Sequence, residues 1–264
     1  MPGDTVILQS HRDRGRPAWI DRCLATVRDW AEGRGHVYRF VGDEMMRAVP
    51  APWRSATEHY PQIAADLGRL YLIRDALAAG ARQAVWVDAD VAVFSPPDFA
   101  PEIAASHAFG REIWIESDAR GRPRARRNVH NACMAFRPDQ PVLAFYIHAC
   151  ETILARIVND GAGRAVPAQI IGPKLLNALH SITPFPLIDD VAMLSPSVVR
   201  DLAGIGDGRA LACLQDDMDA PASAANLSAS LLGIDDEAMA AAVIDRLLAE
   251  PGLLRPAAAR EAAS

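Results

Sequence analysis

The alternation of short valine- and isoleucine-rich runs with longer segments of helical periodicity limits the fold of this sequence more than any other feature. Apolar runs occupy residues 5–8, 36–41 and 84–87. Runs of this length are typical of buried strands, and strands that alternate with helices usually pair in parallel. The sequence therefore predicts an α/β sandwich with a central, mostly parallel sheet flanked by helices.

Two helices are predicted between these strands. Pro17 suits the first turn of a helix that continues to about Trp30. A second helix begins near Pro61, carries an apolar stripe along one face and ends close to Gly80, which suits a helix C-cap. This second helix leads directly into the apolar run at 84–87.

Farther along the chain the patterns are shorter and less regular. The predicted strands are residues 131–136, 191–194 and 210–214, and the predicted helices are residues 138–158, 167–180 and 235–250. We assign residues 1–250 to one domain, because no internal repeat or linker composition divides them. Residues 251–264 are rich in alanine and arginine, have little to bury, and are predicted to form a flexible tail.

The composition excludes several classes of protein. A net charge of -6 gives no general attraction to a phosphate backbone, so nucleic acid is not an expected partner. The cysteines are far apart and form no CxxC pair, which favours buried free thiols over a zinc site. No apolar stretch approaches the roughly 18 residues of a spanning helix, and no leader pattern begins the chain. We therefore expect a cytoplasmic protein without a transmembrane segment.

An acidic pair stands where the third apolar run ends. Asp88 and Asp90 follow Val85-Trp86-Val87, and a second apolar run begins at Val91. In extended geometry the two side chains point the same way, toward the edge where parallel sheets bind ligands. Two carboxylates aimed at one point favour a hard divalent cation, although a capped turn and a solvated carboxylate explain an isolated Asp-x-Asp equally simply.

The sequence around this pair resembles a known family. Residues 65–73 (ADLGRLYLI), Gly80 and residues 85–94 (VWVDADVAVF) resemble the sugar-binding region, with its DXD motif, of α-mannosyl- and α-galactosyltransferase-like glycosyltransferases. A weaker likeness continues at residues 131–135 and at 171–173, where Ile-Gly-Pro stands for the family's Thr-Gly-Pro.

The resemblance implies a Rossmann-like sandwich of the GT-A type, a nucleoside-diphosphate sugar donor, a hydroxyl-bearing acceptor and a Mn²⁺ or Mg²⁺ ion. It also implies transfer of a hexose with retention of anomeric configuration. Asp88 and Asp90 carry the catalysis in this interpretation, with Asp90 on the metal and Asp88 on the metal or the ribose. The donor-binding residues that it implies are Gln9, Ser10, His11, Asp66, Arg69, Asp88, Ala89, Asn131 and Gly172.

On the residues alone, each of these sites has a plainer explanation. Asp66 and Arg69 share a helix face and can form an ordinary surface ion pair. A turn explains residues 9–11 nearly as well as nucleotide binding does, and a helix boundary explains Gly172.

The chain departs from the family near its C-terminus. The family often carries a late histidine followed by Ser-Trp, but no histidine follows His180 here. Asp217 and Asp219 are the substitutes that we predict for the missing metal ligand, because carboxylate oxygen suits the same ion.

Two other functions stay open. A haloacid-dehalogenase-like phosphatase also places Asp-x-Asp after an apolar strand, and Lys174, Asp189 and Asp190 would supply its other groups. Against it, Val91 and Ala92 replace the expected Gly-Thr. A catalytically silent scaffold that only binds a sugar nucleotide is the second alternative.

The arginine-rich residues 117–130 are predicted to form an exposed loop. Such a loop is either simply solvated, or it contacts the acceptor or covers the donor.

Overall fold

The computed structural model describes residues 4–159, 166–231 and 237–258. The strands in these ranges are β1 (Thr5–Ser10), β2 (Val37–Val41), β3 (Gln83–Val87), β4 (Val91–Val93), β5 (His107–Ser117), β6 (Pro123–Phe136), β7 (Leu187–Ile188), β8 (Val191–Met193) and β9 (Ala224–Asn226). The helices are α1 (Ala18–Gly33), α2 (Met45–Ala48), α3 (Ala51–Ala56), α4 (Pro61–Ala78), α5 (Pro141–Asn159), α6 (Pro173–Ile182), α7 (Pro196–Leu202), α8 (Arg209–Asp217) and α9 (Glu237–Ala249), with a short 3₁₀ turn at Ala229–Leu231.

The large sheet has the strand order β2-β1-β3-β6-β5-β7. Strand β1 pairs in parallel with β2 and β3, and β5 pairs in parallel with β7. Among the described strands of this sheet, only β6 runs against its neighbours, β3 and β5. The predicted α/β sandwich with a central, mostly parallel sheet is therefore confirmed.

A small second sheet lies beside the first, with the order β4-β9-β8. Strand β9 is antiparallel to β4 and parallel to β8. The register places Val91 opposite Asn226. A segment far along the chain is thereby held against the turn that carries Asp88 and Asp90.

The predicted strand at residues 210–214 is instead part of helix α8. Ala210, Leu211, Leu214 and Gln215 form its buried side. A short apolar run of this kind fits one face of a helix as well as it fits a strand, so periodicity could not separate the two.

The predicted loop at residues 117–130 is also wrong, because most of it belongs to a long hairpin. Strands β5 and β6 pair from His107 opposite Phe136 out to Ser117 opposite Pro123. Strand β6 extends eight residues before the predicted start at Asn131. Its outer half carries arginines that pair with acidic residues, among them Arg126 with Glu116, and so lacks the apolar alternation that identifies a strand.

Part of the segment predicted as a flexible tail is packed. Leu253 and Leu254 are buried in the same cluster as Leu247 of α9 and Trp19 of α1. The carbonyl of Leu254 accepts a hydrogen bond from the backbone N–H of Ala222 at 2.8 Å. Residues 259–264 of the predicted tail, and the predicted start of the last helix at residue 235, lie outside the described residues.

Two other expectations can be compared with the fold. The cysteines are free, and Cys23, Cys133 and Cys150 are buried, as predicted. No helix in the described part of the chain is both long and apolar enough to cross a membrane. The predicted cytoplasmic location stays a prediction.

Candidate functional site

The acidic pair lies in the turn between β3 and β4, at the carboxyl ends of β1 and β3. The N–H of Asp88 bonds the carbonyl of Ala132 at 2.7 Å and so prolongs the β3–β6 ladder by one residue. The N–H of Val91 then bonds the carbonyl of Asp88 at 3.2 Å and closes a turn around Ala89 and Asp90. The two carboxylates therefore meet through a turn, and not along an extended strand as expected.

Arg69 is the cation at the centre of this region. Its guanidinium lies 3.1 Å from Oδ1 of Asp88 and 3.2 Å from Oδ1 of Asp66. It also donates to the carbonyl of Asn131 at 2.9 Å and lies 5.2 Å from the centre of the Trp86 ring. Both Arg69 and Asp66 are more than nine-tenths buried, so a surface ion pair is excluded. Removing one partner from such a buried pair is strongly destabilising.

Asp88 is held on one oxygen only. The Trp86 indole donates to Oδ1 at 2.6 Å, and the Arg69 guanidinium faces the same atom. Among the described residues, none bonds Oδ2 of Asp88. The second oxygen is therefore the one that a ligand can reach.

Asp90 is held by β9 and the turn that follows it. The Asn226 amide donates to Oδ1 at 2.7 Å, and the N–H of Ala229 donates to Oδ2 at 2.8 Å. The pKa of Asp90 is raised to about 6, first by burial and then by the Asp88 charge, although these hydrogen bonds lower it. The pKa of Asp66 is likewise raised to about 6, because the effect of burial exceeds the lowering by Arg69 and the Asn131 amide.

A cavity of about 690 Å³ opens over these groups. Eight of the residues predicted from the resemblance line it, namely Ser10, His11, Asp66, Arg69, Asp88, Ala89, Asp90 and Asn131. Side chains from β1, β3, α4 and β6 thus meet at one place, as the topology of an open α/β sheet favours.

Gln9 does not line this cavity, in contrast to its predicted role in binding the donor. It is fully buried, accepts a hydrogen bond from the Tyr38 hydroxyl at 3.0 Å and donates one to the carbonyl of Asp88 at 3.1 Å. Strand β1 alternates its side chains, so Gln9 points into the fold while its neighbour Ser10 reaches the cavity. Gln9 supports the acidic turn from beneath.

Gly172 is also a supporting residue. A Cβ atom at this position would lie 2.5 Å from Oδ2 of Asp66 and 2.9 Å from Nδ2 of Asn131. Asn131 itself donates to Asp66 at 2.8 Å. Glycine is therefore needed here for the close approach of α6 to this buried pair.

Asp217 and Asp219 do not reach the acidic pair, which corrects their prediction as metal ligands. Both bind Arg127: its Nε lies 3.0 Å from Asp217, and its Nη1 lies 2.5 Å from Asp219. The reason is that residues 209–217 form helix α8 against the hairpin, instead of a strand leading to the site. No cluster of three or more metal-binding side chains occurs among the described residues.

Several groups at the cavity were not among the donor-site residues predicted from the sequence. Glu112, Trp114, Asn128 and His130 reach it from the hairpin, Lys174 from α6, and Asn226 and Ser228 from β9 and the residues after it. The hairpin was not recognised, so its inward face gave no signal. Asn226 and Ser228 lie in the C-terminal part of the chain, where the resemblance to the family gave no guide.

His130 is a buried, neutral group at this wall. Its Nδ1 accepts a hydrogen bond from the N–H of Ala132 at 3.0 Å, so the proton of the neutral ring is on Nε2. Burial lowers the pKa of His130 to about 3. The ring packs on Gly110, where a Cβ atom would lie 2.1 Å from Cε1.

The residues present fit a small divalent cation. The described residues that line the cavity carry four carboxyl groups, and only Arg69 and Lys174 among them are cations, so the cavity favours added positive charge. Asp88 offers a free oxygen, and the neighbouring charges of Asp88 and Asp90 disfavour each other. Mg²⁺ in particular is usually held by one or two carboxylates together with substrate phosphates and water.

The comparisons with known proteins find similarity to solved structures and none in sequence. No protein-family model matches the chain, and no curated protein matches it. A solved structure described as a glycosyltransferase involved in the glycosylation of the major capsid of PBCV-1 is similar, with a TM-score of 0.49 and 10% identity over 92% of this chain and 98% of that chain. At this level the comparison assigns neither a family nor an activity to the chain.

Proposed function

We propose that the chain transfers a hexose from a nucleoside-diphosphate sugar to a hydroxyl acceptor, with Mn²⁺ or Mg²⁺ and with retention of anomeric configuration. The observation that carries this proposal is that Asp88 and Asp90 line one cavity with Asp66, Arg69 and the end of β1. Its volume of about 690 Å³ lies in the usual range for small-molecule sites.

The charge of the cavity supports a metal-assisted donor. Four carboxyl groups would repel a diphosphate, and Arg69 is already engaged by Asp66 and Asp88. Asp88 and Asp90 would hold the ion, which supplies positive charge to the diphosphate as it leaves.

The remaining residues have distinct roles in this proposal. Arg69 and Trp86 fix Oδ1 of Asp88, so its Oδ2 is presented to the cavity. Lys174, at the start of α6, lines the cavity and forms no ion pair with a described residue, which suits a phosphate contact. Ser10 and His11 offer polar atoms to the base or ribose.

The phosphatase alternative is not favoured by the geometry. Asp189 and Asp190, its expected metal ligands, do not line the cavity. Asp189 pairs with Arg111, and Asp190 accepts a hydrogen bond from the N–H of Ala100. The silent scaffold shares the donor site with the transferase, and metal-dependent hydrolysis of the donor separates the two.

The proposal predicts that a nucleotide and a metal together stabilise the protein. A thermal-shift screen of nucleoside diphosphates and sugar nucleotides, with and without Mn²⁺, should give a shift that needs both components, because ligands stabilise the native state by mass action. The isosteric variant Asp90→Asn should lose the metal-dependent part of the shift.

Asp217→Asn is the matched control, because Asp217 was also predicted as a ligand but binds Arg127 instead. It should keep the whole shift. If no nucleotide shifts the wild type, or if Asp90→Asn keeps the metal-dependent shift, the proposed donor site is wrong.

A further inference from the structure

The inward face of the β5–β6 hairpin forms one wall of the cavity. Glu112 lies opposite Asn128 in the register, and Trp114 follows two residues later on β5. These three side chains line the cavity, whereas Ile113 and Ile115 point to the other face of the strand and are buried in the core. The alternation of a strand therefore presents a carboxylate, an amide and an aromatic ring together.

The carboxylate of this wall belongs to Glu112, and no described cation is paired with it. Asp66 and Asp88 share Arg69, and Asp90 accepts two N–H groups. Glu112 forms no ion pair within the described residues. Burial raises the pKa of Glu112, and hydrogen bonding to the Asn128 amide lowers it. Glu112 and Asn128 thus offer a planar set of acceptors and donors to a ligand.

The order of the strands separates this wall from the nucleotide end of the site. Ser10 ends β1 and His11 follows it, the acidic turn follows β3, and the hairpin lies beyond it in the order β1-β3-β6-β5. Neighbouring strands are about 4.8 Å apart, so β5 lies roughly 10 Å beyond β3. A donor whose diphosphate is held at the acidic turn would place its transferred sugar between the turn and the hairpin.

We infer that Glu112, Asn128 and Trp114 form the acceptor subsite, and that the acceptor is itself a sugar in its pyranose form. The inference rests on the proposed function. A pyranose has an apolar C–H face that packs on an aromatic ring, here Trp114, and neighbouring hydroxyls at its edge that a carboxylate and an amide can bind together. Glu112 then orients a hydroxyl of the acceptor toward the donor.

The experiment measures the binding of a methyl glycoside and the binding of a nucleotide to the same protein. Saturation-transfer difference NMR with methyl α- and β-pyranosides of glucose, galactose and mannose reports acceptor binding. The sample contains the nucleoside diphosphate found in the thermal-shift screen and Mg²⁺, which is diamagnetic and leaves the ligand signals sharp. At least one glycoside should bind the wild type. Glu112→Gln and Trp114→Ala should each weaken its binding about tenfold or more, since each removes a charged hydrogen bond or an apolar platform.

Controls distinguish the subsite from the rest of the molecule. Glu116→Gln lies on the same strand and face but does not line this cavity, so it should bind the glycoside like the wild type. The nucleotide-dependent thermal shift should equal that of the wild type in Glu112→Gln, Trp114→Ala and Glu116→Gln. Trp114→Phe keeps a flat ring and should bind more tightly than Trp114→Ala, which separates a platform from a folding defect.

Three outcomes would overturn the inference while the proposed function stands. Nucleotide binding without any glycoside signal in the wild type rejects a pyranose acceptor. Unchanged glycoside binding in Glu112→Gln and Trp114→Ala places the acceptor elsewhere. A lost nucleotide or sugar-nucleotide shift in Glu112→Gln assigns the residue to the donor. If no nucleotide binds the wild type at all, the proposed function itself fails, and the inference fails with it.

Discussion

At the scale of single residues, the site contains acidic side chains that are each held by specific hydrogen bonds or ion pairs. Asp88 depends on Trp86 and Arg69, and Asp90 depends on Asn226 and Ala229. The two carboxylates differ in what they can do, because Asp88 keeps a free oxygen while both oxygens of Asp90 accept N–H groups. Their protonation therefore affects both stability and ligand binding.

The pH dependence follows from Asp90 and Asp66. Both have a pKa of about 6 in the folded protein, above the ordinary 3.8. The folded state thus holds protons that the unfolded state releases between these pH values, so the free energy of unfolding should fall as the pH rises from about 4 to about 6. Mn²⁺ affinity should change in the opposite direction, increasing with pH up to about 6 and then levelling, because the ion competes with protons.

Calorimetric titration of Mn²⁺ between pH 5 and 8, with urea unfolding of the metal-free protein, measures both effects. In Asp90→Asn the metal affinity should be weak at every pH. The free energy of unfolding of this variant should also fall less than that of the wild type as the pH rises from about 4 to about 6. Metal binding to the wild type that does not depend on pH would contradict this assignment.

The close packing of His130 on Gly110 predicts that a substitution at Gly110 lowers the stability of the protein. In Gly110→Ala the new Cβ would lie 2.1 Å from Cε1 of His130, so the buried ring must shift. Overpacking of this kind costs about 1–3 kcal/mol. Urea unfolding should show this loss, whereas Gly33→Ala, where nothing lies within 4 Å at the end of α1, should be neutral or slightly stabilising. Equal effects of the two substitutions would be inconsistent with the contact.

At the scale of elements, short segments far apart in sequence close the site. Strand β9 binds β4 and brings Asn226 to Asp90. The carbonyl of Leu254 in turn accepts from Ala222, two residues before β9, and the Gln215 amide donates to the carbonyl of Leu253 at 2.8 Å. The described part of the predicted tail is therefore a support for β9 and the acidic turn.

A substitution at Leu254 tests whether this segment stabilises the fold around β9. It is fully buried, so Leu254→Ala should lower the free energy of unfolding by about 2–5 kcal/mol, through lost apolar contact and the cavity left behind. Leu248→Ala is the matched control, because Leu248 on α9 is 44% exposed and should change stability by less than about 0.5 kcal/mol. Denaturant unfolding of both variants measures the difference, and a neutral Leu254→Ala would show that this segment does not hold the fold together.

At the scale of the whole molecule, the core joins both ends of the chain. One apolar cluster contains Trp19 of α1 together with Val243 of α9 and Leu254. A second is built from β1, β3, α4 and α5, with Trp86 and Tyr146 among its members. Since the large sheet separates these clusters and contributes to both, we propose that residues 1–250 fold as one domain.

A single domain predicts a single unfolding transition. Tryptophan fluorescence and far-UV circular dichroism should give coincident urea curves, because Trp19 reports on the first cluster and Trp86 on the second. Two separated transitions would divide the chain into independent units and contradict the assignment.

The sequence determined the α/β class, the parallel strands β1 to β3, helix α4 and the position of Asp88 and Asp90, because these depend on local periodicity and on the edge of a parallel sheet. It did not predict the hairpin, since the outer half of β6 is stabilised by pairs such as Arg126 with Glu116 and lacks an apolar alternation. It assigned Asp217 and Asp219 to a metal because their chemistry was suitable, but chemistry alone cannot show that Arg127 holds them. Only the tertiary structure brought Asn226 to Asp90 and Glu112 to the cavity, because both placements arise from pairing between strands that are far apart along the chain.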